Sequence, residues 1–185
     1  MFNKLILIVL LSISIAHTQA ETREWGLQRL PDAPKDNKFS ETEMALPAIP
    51  NPDTGEWLDL YINETHTGNP RILLDSLQIA EDNSIRYLFN NRSASGYNNI
   101  TAEGVVCAEG FFNSDGLLQK TFAYADLSNQ RWIIPRRSEW KVLGGKRNAA
   151  DPVRRVLYEI ICVNNKITHV NQLRKALIQE AGSRR

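Results

Sequence analysis

Asp75, Arg86 and Glu103 are the one polar constellation in this 185-residue chain that suggests chemistry. Asp75 shares a strand phase with Leu73, Leu77 and Ile79, apolar company that implies burial. Two carboxylates with an arginine can divide acid and base work on a glycan or peptide, with Glu103 perturbed by burial. The same residues also make a structural set in which Arg86 neutralises one or both acids inside a small sheet. That reading is favoured, since buried ion pairs are commoner than active sites and no cleft can be inferred.

Cys107 and Cys162 are the chain's two cysteines. In an exported protein such a pair reads as one disulfide, because the compartment is oxidising and an unpaired thiol would stay reactive. A nucleophilic thiol with His66 or His169 as its base is the alternative. No Gly-x-Ser-x-Gly elbow, His-Glu-x-x-His pair, phosphate-binding glycine loop or Cys-x-x-Cys is present. Nor does either of these histidines have ligand spacing around it, so neither a metal nor another cofactor is expected.

Arg131, Trp132, Arg136, Arg137 and Trp140 crowd into one short stretch and are the candidate partner-binding residues, since tryptophan and arginine dominate interface energetics. Both indoles are equally readable as core. Residues 131 to 155 hold eight bases and two acids, whereas 21 to 64 hold ten acids and four bases. The favoured reading is that the acidic stretch folds back on the basic one or that the charges are simply solvated, and the sharper alternative is a partner, an envelope protein or an anionic envelope component. Nucleic acid is not expected, because the formal charge is only +1 and no binding motif accompanies the bases.

The address comes from residues 1–20. Lys4 precedes an apolar run from Leu5 to Ala16, and Thr18 and Ala20 supply small residues at −3 and −1. This is the pattern of a cleavable secretory signal peptide cut near Ala20, and the run is too short to span a bilayer. The expected localisation is the periplasm, with no transmembrane segment in the mature chain.

These residues must be positioned by a small set of elements. Residues 21–55 carry five of the eight prolines and read as an extended arm strapped over the domain or partly mobile. Residues 56–166 read as a single α+β domain, and 167–185 as a C-terminal helix and tail. Strand-like runs occupy 58–62, 72–79, 84–90, 99–107, 118–126 and 132–143. They predict a curled antiparallel sheet of five to seven strands with one or two C-terminal helices packed on it. A register setting Phe89 opposite Ile100, Tyr87 opposite Ala102 and Ile85 opposite Gly104 builds one apolar face. It places Arg86 opposite Glu103 on the other, with Cys107 on that same side. Asp151 then caps a helix from Pro152 to about Ile161, which the chain leaves at Cys162 through Asn164-Asn165. Thr168 is the expected cap of a second helix, stopped by Gly182.

Several short motifs coincide with these elements: Leu46-Pro47 with Pro50, Asp75-Ser76-Leu77, Arg86-Tyr87, Asn99, Glu103-Gly104 with Cys107, Tyr124-Ala125, Trp132, and Leu157-Tyr158 ahead of Cys162. Over about Leu46 to Cys162 the chain resembles the cryptic neisserial protein 1-like family of exported Gram-negative bacterial proteins. Ser128-Asn129-Gln130-Arg131 stands where that pattern has an Asp-Gly turn. The resemblance implies export, one fold unit and a cysteine pair, and it brings no mechanism. The favoured function is a non-enzymatic binding or envelope-assembly module, and the alternative is a hydrolase of envelope glycan or peptide acting through Asp75 and Glu103.

Overall fold

The computed structural model describes residues 39–107, 118–142, 151–163 and 167–182. The leader, the first part of the arm, the bases Lys146 and Arg147, and the Asn164-Asn165 turn lie outside the described residues. The fold is α+β. Strands β1 (Trp57–Asp59), β2 (Asn69–Ile79), β3 (Ile85–Arg92), β4 (Ile100–Val106), β5 (Leu118–Asp126) and β6 (Arg131–Ile133) form an open antiparallel sheet in chain order, and β7 (Lys141–Val142) also pairs with β5. Helix α1 (Pro152–Tyr158) runs into a single wider π turn (Glu159–Val163), and α2 (Val170–Glu180) follows.

The expected last strand is broken into β6 and β7. Pro135 lies between them, and a residue without an N–H cannot continue a ladder.

The two faces of the sheet bury different things. On one, Ile72, Leu74, Leu77, Ile85, Tyr87, Phe89 and Val105 pack against Val153, Val156, Leu157, Ile160 and Ile161 of α1 and its π turn, and against Leu173, Ala176 and Leu177 of α2. Fully burying each such side chain contributes roughly 1.5–3 kcal/mol, whereas helix propensities differ by tenths. A seven-residue helix would not form alone, so packing on the sheet is what holds α1. On the other face Leu73, Leu88, Ala102 and Ala123 form a smaller cluster with Leu46, Trp57, Phe122 and Trp132.

Leu73 and Leu77 share a phase in the sequence yet face opposite sides, because β2 is bulged between Leu73 and Gln78. Ser76 holds the bulge together. Its hydroxyl donates to the Leu73 carbonyl at 2.6 Å and accepts from the Leu88 N–H at 2.8 Å, satisfying backbone groups that the irregular ladder would strand.

Asp151 caps α1 by accepting from the Arg154 N–H at 3.0 Å. The helical path does not end at Cys162 but passes through it, since the π turn accommodates an extra residue and keeps both Ile160 and Ile161 buried. The cap of α2 is His169, not Thr168. Thr168, just before the cap, donates its N–H and its hydroxyl to Gln172 Oε1, both at 3.1 Å, which ties the entering chain to the first turn.

Cys107, one residue past β4, is joined to Cys162 in the π turn, with Cα atoms 5.3 Å apart. The described cysteines are therefore both oxidised, which removes the thiol-nucleophile reading. Closing 55 residues restricts the unfolded chain by about 4 kcal/mol in the chain-entropy model. Replacing both cysteines with alanine is predicted to lower unfolding free energy in denaturant titration by about 2–5 kcal/mol, the range for native disulfides in small secreted domains.

Candidate ligand-binding site

The structure parts the three residues Asp75, Arg86 and Glu103. β3 and β4 pair one residue out of the expected register: Arg86 opposes Gly104, Tyr87 opposes Glu103, and Phe89 opposes Thr101. A one-residue slip turns a strand over, so Glu103 and Arg86 occupy opposite faces. Cys107 stays on the Glu103 side, which is the helix side. Asp75 lies in the β2 bulge, where the alternation that would have buried it fails. Its side chain is 59% exposed and accepts from Arg174 of α2 at 3.4 Å, while Arg174 also bonds Glu56.

Glu103 is buried beneath α1. Arg154 meets it with two bonds, Nη2 to Oε1 at 2.7 Å and Nε to Oε2 at 3.3 Å, and Thr101 Oγ1 donates to Oε1 at 2.6 Å. Arg154 also reaches Asp151 at 3.3 Å and lies over the Phe89 ring. Burial by itself would lower the Arg154 pKa, but the facing Glu103 carboxylate and its hydrogen bonds raise it well above the usual value. Burial and the neighbouring Glu103 charge together push the Tyr87 phenol up.

Arg86 belongs to the other face. It bonds Ser84 Oγ at 2.6 Å and Asp82 at 3.0 Å, and its guanidinium sits 4.2 Å from the Phe122 ring centroid and 5.2 Å from that of Trp140. Gly104 makes this stack possible. A Cβ there would lie 2.9 Å from Phe122, 3.0 Å from Arg86 and 3.2 Å from Trp140. An isolated glycine inside a strand is the sequence signal for such close approach, and it was present in Glu103-Gly104. Asp82 feels burial first, which raises its pKa. The Ser84 hydroxyl, the Thr42 and Ser84 amides and Arg86 outweigh that and hold the carboxyl below its ordinary value.

Residues 39–50 cross this face without helix or strand. Phe39 meets the Trp140 ring edge-on at 4.9 Å, Thr42 donates its N–H to Asp82 at 2.7 Å, and Trp132 donates to the Pro47 carbonyl at 2.7 Å. Glu41 Oε2 accepts from Lys120 at 2.6 Å and from the Trp140 indole at 2.8 Å, with Arg86 at 4.0 Å from Oε1. The described part of the acidic arm does fold back: Glu41 pairs with Lys120 and approaches Arg86 of the sheet, and the same segment meets Trp132 and Trp140 from the stretch 131–155. Trp132 and Trp140 are both half-buried and committed to this strap, whereas Arg131, Arg136 and Arg137 point outward, Arg131 paired with Asp126.

Between strap and sheet lies a cavity of about 320 Å³, bounded by Met44, Ala45 and Leu46 above, Leu88, Ala102 and Phe122 below, and Glu41, Arg86 and Lys120. Ile134, 60% exposed, stands at its edge. A second hollow near His66 and Gly182 is more polar. Asp75 borders neither. Among the described residues no His, Cys, Asp and Glu cluster could hold a metal, and no helix is long and apolar enough to cross a membrane.

Two outcomes follow from the charges. Replacing Arg154 with Met leaves the Glu103 carboxylate buried and unpaired, and is predicted to cost about 3–5 kcal/mol in denaturant titration at neutral pH. Asp82→Asn is predicted to be destabilising at pH 7, with the gap from wild type shrinking as pH falls below the ordinary carboxyl value of 3.8. The sign follows from the lowered native pKa: its stabilisation exists above the unfolded pKa and is lost as pH drops through the folded one. Thermal melts of both proteins from neutral to acid pH check it.

Comparison with known proteins places this geometry. A sequence model described as the CNP1-like family matches residues 34–180. Cryptic neisserial protein 1 of Neisseria gonorrhoeae (strain ATCC 700825 / FA 1090) is 41% identical over 157 residues, covering 82% of this chain and 77% of that protein. No solved structure matches. The match spans the strap, the whole described sheet and both helices, and on that span the chain belongs to the CNP1-like family.

Proposed function

We propose that this protein is an exported, periplasmic, non-enzymatic binding module whose ligand seat is the cavity between the strap and the second face of the sheet. The cavity carries the proposal. Ligand sites are concave and mostly apolar, with a few convergent polar groups, and a volume of about 320 Å³ falls at the lower end of their range. The N-terminal leader pattern and the cysteine pair support export. A hydrolase built on Asp75 and Glu103 would need both carboxylates in one solvent-open cleft. One is exposed beside Arg174 and the other is sealed under α1, so that pair supports no catalysis. Arg131, Arg136 and Arg137 remain the place where the module would meet an envelope protein or anionic envelope component, next to the exposed Ile133 and Ile134.

The small neutral fluorophore 1-aminonaphthalene tests the seat. Titration is predicted to give saturable fluorescence at one dye per chain, weakened about tenfold or more, a loss of at least about 1.4 kcal/mol, by Ala102→Leu or Ala45→Trp. Each substitution fills the cavity from a different wall. Arg136→Glu with Arg137→Glu should leave the titration unchanged. Dye binding that never saturates, or that ignores both filling variants, would remove the cavity as the site.

A further inference from the structure

We infer that the ligand of this cavity is an anionic amphiphile, one negative head group on a short apolar body, and that the Glu41 carboxylate is a built-in stand-in for its head. The inference rests on the cavity being the ligand seat, as proposed above, and adds what the ligand must be. Register supplies the first observation. Arg86, Gly104 and Lys120 are neighbours across β3, β4 and β5, and Leu88, Ala102 and Ala123 form the next rung on the same face. Two residues along a strand span roughly 6.6 Å, so a cationic rung and an apolar rung lie about one head-group length apart under a single cavity. Its volume of about 320 Å³ holds roughly ten heavy atoms at the 30 Å³ apiece that a water occupies.

The donors supply the second observation. Lys120 Nζ and the Trp140 indole converge on one carboxylate oxygen from different elements, at 2.6 and 2.8 Å. Both cations are walled by the Phe122 and Trp140 rings, and their side chains are only 11% and 12% exposed. Such shielding strengthens an ion pair that water would weaken. Asp82 already balances Arg86 at 3.0 Å. Once Glu41 leaves, Lys120 loses the carboxylate it holds at 2.6 Å, and a single anionic head group would replace it even with Glu43 also on the cavity wall.

The third observation is the setting of the present occupant. Glu41 belongs to an irregular segment, its side chain is 31% exposed, and no residue from 39 to 47 is buried. A ligand head can therefore take its place without dismantling the sheet. The wild-type affinity is reduced by the fraction of time Glu41 holds the cradle, and removing its charge lifts that reduction.

Isothermal titration with decanoate and with uncharged 1-decanol, on wild type, Glu41→Gln and Lys120→Met, tests this. Decanoate should bind Glu41→Gln about tenfold more tightly than wild type and Lys120→Met about tenfold more weakly, the scale of one charge-assisted contact. Decanol should bind all three alike. Unchanged thermal midpoints and circular dichroism establish that the variants are folded, and Lys120→Met keeps an apolar stem over Phe122. If decanol binds but decanoate is no tighter on Glu41→Gln, or decanol gains equally, the stand-in role is wrong while the cavity survives as a seat. If neither ligand binds any variant, the seat itself is refuted, and this inference falls with it.

Discussion

A carboxylate buried in the middle of the sheet sets the terms for everything packed above it. Glu103 points from β4 into the layer where the helices lie, a place that tolerates a charge only when it is paired and hydrogen-bonded. Arg154 is the partner, and it comes from α1. That requirement fixes the rotation of α1 about its axis, which aims Val153, Val156 and Leu157 at the sheet. Asp151 both caps α1 and bonds the Arg154 guanidinium, so helix start and ion pair are one arrangement. The disulfide then ties the far end of the same helical segment to the end of the strand that carries Glu103. Charge, cap and covalent bond act on one element pair.

Gross architecture was legible because it depends on local pattern. Alternation gave the strands, Asp151-Pro152 gave the start of α1, and the 3.6-residue stripe gave its buried face. Pairing was not legible at single-residue resolution. The register with Phe89 opposite Ile100 looked better because it made one face wholly apolar, but it ignored that Glu103 had a helical arginine available across the layer. An ion pair separated by 51 residues is invisible to a hairpin argument. Asp75 failed differently, since a period-two reading assumes an unbroken strand and Ser76 sustains a bulge.

The candidate site was less legible than the fold. Arg86, Trp132 and Trp140 were singled out, but for other partners. Glu41 and Lys120 carry no mark in the sequence, since nothing local distinguishes an acid that crosses to a sheet 79 residues away. Gly104 was the missed clue. Its lack of a side chain lets Arg86, Phe122 and Trp140 close over the strand, and with the guanidinium held against both rings the second face is both cationic and apolar.

The two coverings of the sheet differ in how they are held. One is a helical layer interlocked with the sheet through buried apolar side chains, with a buried ion pair and a covalent tether. The other is a strap held by side-chain hydrogen bonds, with Leu46 half-buried in the smaller cluster. Individual bonds of that kind contribute about 1 kcal/mol each, or about 1.5–3 kcal/mol where a charged group takes part, less than a cooperative core. The domain therefore has two opening free energies. The strap can lift and resettle many times while β3, β4 and the helices stay closed, so the Thr42 amide bonded to Asp82 exchanges through a smaller opening than the amides of the sheet ladders and helices.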